Sequence, residues 1–237
     1  MSERVTFEKQ RQRAPSKRSL RSRSRILDAA ERVFADRGFD GATVRDIAAA
    51  ADTQVGLVHH HGGGKAELFA QTVQRRADEL SDLRLRELAA RKAAGPLDLE
   101  ALIECFFGPY LDKAENGGDQ WLAYARLVAH VSADTRWREL AAQCFDPTAQ
   151  RFIDEIARLY PQTPRSAIAS GFVYSVSAML GLLTSAWRIR ALGAEDSLSG
   201  NRQSLIAFCV AGLDACLSGR LAANVSETST GQHVETS

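Results

Sequence analysis

The run His59-His60-His61-Gly62-Gly63-Gly64-Lys65 gathers residue types from which three chemistries can be built. A histidine followed by three glycines imitates an esterase oxyanion hole. That reaction also needs a Gly-x-Ser-x-Gly elbow, and no such pentapeptide occurs in the chain. Gly64-Lys65 resembles the end of a phosphate loop, but the leading glycine is missing and Ala66 stands where the hydroxyl residue belongs. Three consecutive imidazoles on a helix point about 100° apart, so they cannot converge on one metal ion without unwinding it. The run therefore predicts no enzyme, no metal site and no cofactor. Contact with a phosphate or a base by one or two of the histidines is the use that fits.

A second constellation lies further along. Arg126 and His130 are i, i+4 neighbours, Trp121 and Tyr124 precede them, and Phe106, Tyr110, Tyr174 and Trp187 fall on other apolar segments. Aromatic walls around a few polar groups suit an organic ligand. Phe106, Tyr110, Trp121, Tyr124, Arg126, His130 and Tyr174 are thus the expected lining of a small-molecule site. The plainer alternative makes the aromatics core and pairs Arg126 with a surface acid.

These residues need elements to hold them, and the elements read as helices throughout. Long 3.6-periodic segments rich in Ala, Leu, Arg and Glu dominate, prolines number six, and alternating β-branched runs are absent, so the chain is expected to be all-α. Ile26, Leu27, Ala30, Val33 and Phe34 form one apolar stripe. Gly38 follows it, at a position suited to a left-handed cap. Thr43 and Asp46 make a capping box that opens a second helix at Val44, burying Val44, Ile47, Ala48 and Ala51. Asp52-Thr53 interrupts, and a third pattern runs from Gln54 to His61. Two short helices joined by a tight turn and braced by a longer one are the helix-turn-helix arrangement. Its second helix enters a major groove by its leading edge, here Thr53, Gln54, Val55 and Gly56. Gln can pair with adenine and Val can meet a thymine methyl. A three-helix core is also a common structural unit, so these residues alone leave DNA binding open.

The segment ILDAAERVFADRGFDGATVRDIAAAAD, followed by VGLVHHH and GGGKAELF, resembles the DNA-binding domain of the tetracycline-repressor (TetR) family. In that family a Tyr-x-His-Phe run precedes Gly-Ser-Lys-x-x-Leu-Phe. This chain has His59 at the Tyr position, Gly62 at the Phe position, Gly64 at the Ser position and Asp52 at the turn glycine. The resemblance implies an N-terminal three-helix DNA-binding domain and a C-terminal helical domain for ligand binding and dimerisation. It also implies that Lys65–Ala94 links the two. Double-stranded DNA is then the expected partner, contacted by Thr43, Arg45, Thr53, Gln54, Val55, Gly56, His59, His60 and Lys65. A small-molecule effector and a second copy of the chain complete the partners.

The remaining stretches fit this plan. Nine Lys/Arg and two Glu precede Ile26, whereas the rest carries 21 basic and 27 acidic residues, an asymmetry expected of a basic arm beside a polyanion. Residues 1–20 are expected to be that arm, disordered in isolation, 21–66 the DNA-binding domain, 67–220 the effector and dimerisation domain, and 221–237 a disordered tail. Met1 to Arg25 is charged and does not read as a signal peptide, so a cytoplasmic location is expected. Four cysteines without a CxxC pair read as buried hydrophobes. Arg165–Leu192 is apolar nearly all round over about 16 residues, short of the ~20 a bilayer needs, so no membrane span is expected. Its Ser177, Gly181 and Ser185, with Phe208 and Gly212 of the last helix, are the expected dimer contacts. A constitutive DNA binder without an effector, or a helical protein that has lost DNA recognition, are the rival readings.

Overall fold

The computed structural model describes residues 16–192 and 198–218, with ten α-helices and no strand among them. Helix α1 covers Lys17–Gly41, α2 Val44–Ala50 and α3 Val55–Gly62; α4 covers Lys65–Ala94, α5 Leu99–Asn116 and α6 Asp119–Ala133. A 3₁₀ turn at Thr135–Trp137 leads to α7 (Arg138–Cys144), α8 (Asp146–Leu159), α9 (Arg165–Ala191) and α10 (Leu198–Leu217). Ser16 caps α1 by accepting from the Ser19 amide, so α1 begins at Lys17. Residues 1–15 and the tail 221–237 lie outside the described residues.

Local chemistry sets the head. Gly38 interrupts α1 at φ 67° and lets Phe39 turn inward. The Thr43 hydroxyl accepts from the Asp46 amide while Asp46 Oδ2 accepts from the Thr43 amide, closing the capping box. Asp52 takes the turn between α2 and α3 in a left-handed conformation, φ 46°, which Asp tolerates better than a branched residue. Ile26, Ala30, Phe34, Ile47, Ala48 and Val58 are buried where α1, α2 and α3 meet.

Gly62 is explained by its neighbour. A Cβ there would lie 2.6 Å from Leu68 Cδ1, so the α4 leucine already fills the space at this joint. Leu68 itself is 1% exposed.

Pro147 starts a helix instead of kinking one: α7 ends at Cys144, and Pro147 sits in the first turn of α8, where its missing N–H costs little. Pro109 is tolerated inside α5. Helix α9 has the bounds its sequence pattern indicated to within a residue, but its apolar stretch is longer than the expected ~16: its most apolar 18 residues have a mean hydropathy of 1.6, so by length and composition the 27-residue helix could cross a membrane. Here it packs against α10, α6 and α8, burying Ile168, Phe172, Met179, Leu182 and Leu183.

Candidate nucleic-acid interface and effector domain

Helix α3 is held from behind and bare in front. Val58 is fully buried, whereas Gln54, Val55, Gly56, Leu57, His59 and His60 are exposed and Thr53 is half-buried. Gln54 occupies the N-cap position without using its side chain there, so its amide is available to a partner. Asp52, Thr53, Gln54 and Leu57 line a shallow surface recess at this end. Arg45 is exposed, and among the described residues it makes no ion pair. Thr43 is committed to its cap, its hydroxyl also donating to Asp46 Oδ2 at 2.6 Å. His59 Nδ1 lies 3.0 Å from the Gly63 carbonyl oxygen, leaving Nε2 outward.

Lys65 departs from expectation. Its Nζ donates to the Ala42 carbonyl at 3.1 Å and stands 4.4 Å from the centre of the Phe39 ring. A long stem folded over the Phe39 ring places the charge at the joint of α1 and α4, where Lys65 is half-buried.

Sequence reasoning missed Arg25, counted only as part of a basic run. Its guanidinium donates to the carbonyls of Ala51 and Asp52 at 2.9 and 3.0 Å and so clamps the turn that aims α3. Periodicity could have flagged it, since Arg25 directly precedes the buried stripe of α1.

Two seams join the head to the body. In the first, Glu31 of α1, fully buried, accepts from Arg75 at 2.7 Å and from Arg76 at 3.1 Å. Arg75 also pairs with Asp28, and Lys113 of α5 pairs with Glu79. Burial pushes the Glu31 carboxyl above its ordinary pKa, opposed by Arg76 and Arg75. In the second seam, Arg136 after α6 grips Asp40 bidentately at 3.0 and 2.8 Å, and Arg126 of α6 reaches Asp36 at 3.2 Å. Hydrogen bonds donated to the carboxylates of Asp40 and Asp134 raise the Arg136 pKa further above its ordinary range. Trp137 packs between Phe39 and Phe69, with ring centres 4.8 and 4.5 Å away.

That second seam corrects the expected ligand lining. Arg126 and His130 share one helix face, but it is the outer one: both are exposed, and Arg126 is spent on Asp36. Trp121 and Tyr124, offset by about 100° per residue from that face, point inward instead. Tyr174 is 69% exposed on α9 and is not among the buried aromatic rings. Tyr110, Trp121 and Tyr124 do converge, with ring centres 5.8 to 6.1 Å apart, and Phe106 lies on the same buried face of α5.

Within this aromatic set lies Arg84 of α4, another residue the sequence reading passed over. Its Nε donates to the Phe106 carbonyl at 2.7 Å, and its guanidinium carbon is 3.6 Å from the Phe106 ring centre and 5.9 Å from that of Tyr110. Burial pulls its pKa down to about 10. The phenols of Tyr110 and Tyr124 are pushed up by the same desolvation and stay neutral.

The expected dimer contacts lie on an uncovered surface. Ser177, Gly181, Phe208 and Gly212 are exposed and Ser185 is half-buried. An added Cβ at Gly181 or Gly212 would meet nothing within 4 Å. Val173, Tyr174, Trp187 and Phe208 are 58 to 70% exposed around them, an apolar area larger than scattered surface residues make.

Comparison with known proteins adds to this geometry. A model of the tetracyclin repressor-like C-terminal domain matches residues 104–212, and one of bacterial regulatory proteins of the tetR family matches residues 26–72. The chain is similar to the HTH-type transcriptional repressor AcnR of Corynebacterium efficiens, 35% identical over 69 residues, which are 29% of this chain and 37% of that protein. It is similar to the HTH-type transcriptional repressor KstR2 of Rhodococcus jostii, 36% identical over 119 residues, or 50% of this chain and 56% of that one. The chain thus spans between about a third and about half the length of these relatives. The crystal structure of multidrug binding protein EbrR complexed with malachite green shares the fold, with a TM-score of 0.54 and 20% identity over 73% of this chain and 90% of that one.

Proposed function

The chain belongs to the TetR family of bacterial regulatory proteins, and on that premise we propose that it is a dimeric repressor that leaves a near-palindromic DNA site when an effector enters its second domain. The observation that carries this reading is the leading edge of α3: Gln54, Val55 and Gly56 are exposed while Val58, on the opposite face, is fully buried. An edge turned outward and backed by a rigid core can enter a major groove, with Gln54 donating to and accepting from adenine and Val55 meeting a thymine methyl. Arg45, Thr53 and His60 flank it for phosphates or groove walls. Residues 1–15, with four of the chain's basic residues, would add a salt-sensitive term.

Two heads would be set at a fixed spacing by the apolar face of α9 and α10, a twofold contact that matches a twofold site. The effector domain lies in the α4–α6 region, around the converging aromatic rings. The name of EbrR says that a protein of this fold binds malachite green, which supports a small-molecule role for the same domain here. A ligand there would shift α4 and the Arg136–Asp40 and Arg126–Asp36 seam, and thereby the spacing of the heads. A regulator working on DNA would reside in the cytoplasm.

Close packing of Tyr110, Trp121 and Tyr124 favours one alternative, a constitutive DNA binder. Selection of binding sites from random duplexes, repeated with candidate effectors, separates the two. The repressor reading expects an enriched inverted repeat whose occupancy falls with one class of compound. No enrichment refutes DNA recognition, and enrichment indifferent to every compound favours the constitutive binder.

A further inference from the structure

Arg84 sits where a solvated helix arginine has no reason to be. Its side chain belongs to the buried set at 9% exposure, deep in the domain formed by α4, α5 and α6. Among the described residues no carboxylate lies within ion-pair distance of it, although Arg75 and Arg76 of the same helix both have one. Burying a cation without a counter-ion is costly, and proteins normally avoid it by pairing or by neutralisation. An arginine is a poor candidate for neutralisation, since its intrinsic pKa is the highest of any side chain.

The Phe106 carbonyl answers only part of this. It accepts from Nε, one of five N–H bonds, and lies on α5. That contact staples α4 to α5. It leaves the Nη pair, the fork that recognises planar anions, without a hydrogen-bond acceptor among the described residues and reached by solvent rather than sealed in. The groups around it are apolar or neutral: the face of Phe106, and the phenols of Tyr110 and Tyr124.

A fork lacking an anion, reached by solvent and walled by aromatic rings on a stem that is otherwise buried, suits a planar anion. We infer that the effector domain takes an organic carboxylate on an apolar body, its two oxygens on the Arg84 Nη pair and its body against Phe106, Tyr110 and Tyr124. This rests on the reading that the domain binds an effector, and it narrows that effector to an anion. The carboxylate gains a bidentate, charge-assisted bond in a low-dielectric setting, and the protein loses an uncompensated charge. Because Arg84 shares α4 with Arg75 and Arg76, which hold Glu31 of the head, a pull on Arg84 acts on the same rigid helix that meets α1.

The test uses the full chain with phenylacetate and octanoate against phenylacetamide and octanamide, read by calorimetry and by the change in Trp121 fluorescence. The wild type should bind at least one acid tenfold or more tightly than its amide. Arg84→Met should lose that discrimination and, free of ligand, should melt no lower than the wild type. Arg84→Lys, which keeps the charge but not the fork, should retain a preference for the acid with affinity reduced about tenfold. Acid and amide binding equally, an acid preference surviving in Arg84→Met, or no acid of the panel binding at millimolar concentration would each overturn the inference. Operator binding measured in parallel keeps the two readings apart. Release from DNA by an uncharged compound refutes the anion alone, whereas the lack of any DNA binding refutes the repressor.

Discussion

Two glycines two residues apart should respond to substitution in opposite directions. Gly62 ends α3 with its Cα facing Leu68: an added Cβ would lie 2.6 Å from Leu68 Cδ1 and 3.2 Å from its Cβ and Cγ. Leu68 is 1% exposed and cannot swing into solvent, so the methyl of Gly62→Ala must force the start of α4 away from α3. Overpacking of this kind costs about 1–3 kcal/mol, offset by up to ~1 kcal/mol of helix propensity. The expected net loss is about 1–2 kcal/mol, or roughly 2–8 °C in Tm for a chain of this length. Gly62→Phe, which installs the residue usual in the family, should cost more still. At Gly64 nothing lies within 4 Å of an added Cβ, and the residue is the N-cap of α4 with no side chain to accept from the first turn. Gly64→Ser should therefore stabilise by a few tenths of a kcal/mol. Thermal melts followed by circular dichroism, with urea titrations to check that m-values hold, measure both. A stable Gly62→Phe protein would refute the account, because it would mean that the joint has room and that Leu68 is not what fills it.

The other expectations concern the groove-reading edge, the cap and the dimer face. Gln54→Ala should weaken binding to a selected site by ~1–3 kcal/mol while leaving binding to unrelated duplex unchanged, whereas Arg45→Ala should weaken both or, if it reads a base, the selected site alone; titrations on the two duplexes decide. Thr43→Ala should cost the head about 1 kcal/mol, measured by urea denaturation at pH 7. Hydrogen bonds from Thr43, aided by Arg37, hold the Asp46 carboxyl below its ordinary pKa. That contribution to stability is thus present above the ordinary value of 3.8 and is lost as the pH falls through the depressed folded value, so the acid side of the stability curve should be flatter in Thr43→Ala. Trp187→Asp and Phe208→Asp should each turn a dimer into monomers in light scattering, since both side chains are more than 60% exposed on the face offered to a second copy.

Much of this was legible in the sequence because local rules and packing agree there. The capping box of Thr43 and Asp46, the left-handed Gly38, and the outward Gln54 to Gly56 follow from spacing and turn chemistry alone. The bounds of α4 follow equally well from Lys65 and the Gly95-Pro96 stop. Illegible were the partners that only tertiary structure brings together. Arg126 looks like a binding group until Asp36, 90 residues earlier, is seen to hold it. Lys65 looks like a phosphate ligand until the Ala42 carbonyl and the Phe39 ring are placed beneath it. Arg84 shows the converse: a charged residue on a long helix reads as solvated, and nothing in its neighbours reveals that α5 and α6 close over it. Tyr174 looks like part of an aromatic wall until the structure shows it 69% exposed on α9, since composition alone does not say which face of an apolar helix is covered.

The central claim is that the front of α3 reads base pairs, twice, in one assembly. Its most direct measurement is the footprint of the protein on a duplex chosen by repeated selection, at physiological ionic strength, for wild type and Gln54→Ala side by side. Two protected half-sites about one helical turn apart in the wild type, with both fading together in Gln54→Ala, are the expected result. A single protected patch, or a footprint that Gln54→Ala and Val55→Ala leave intact, would contradict it.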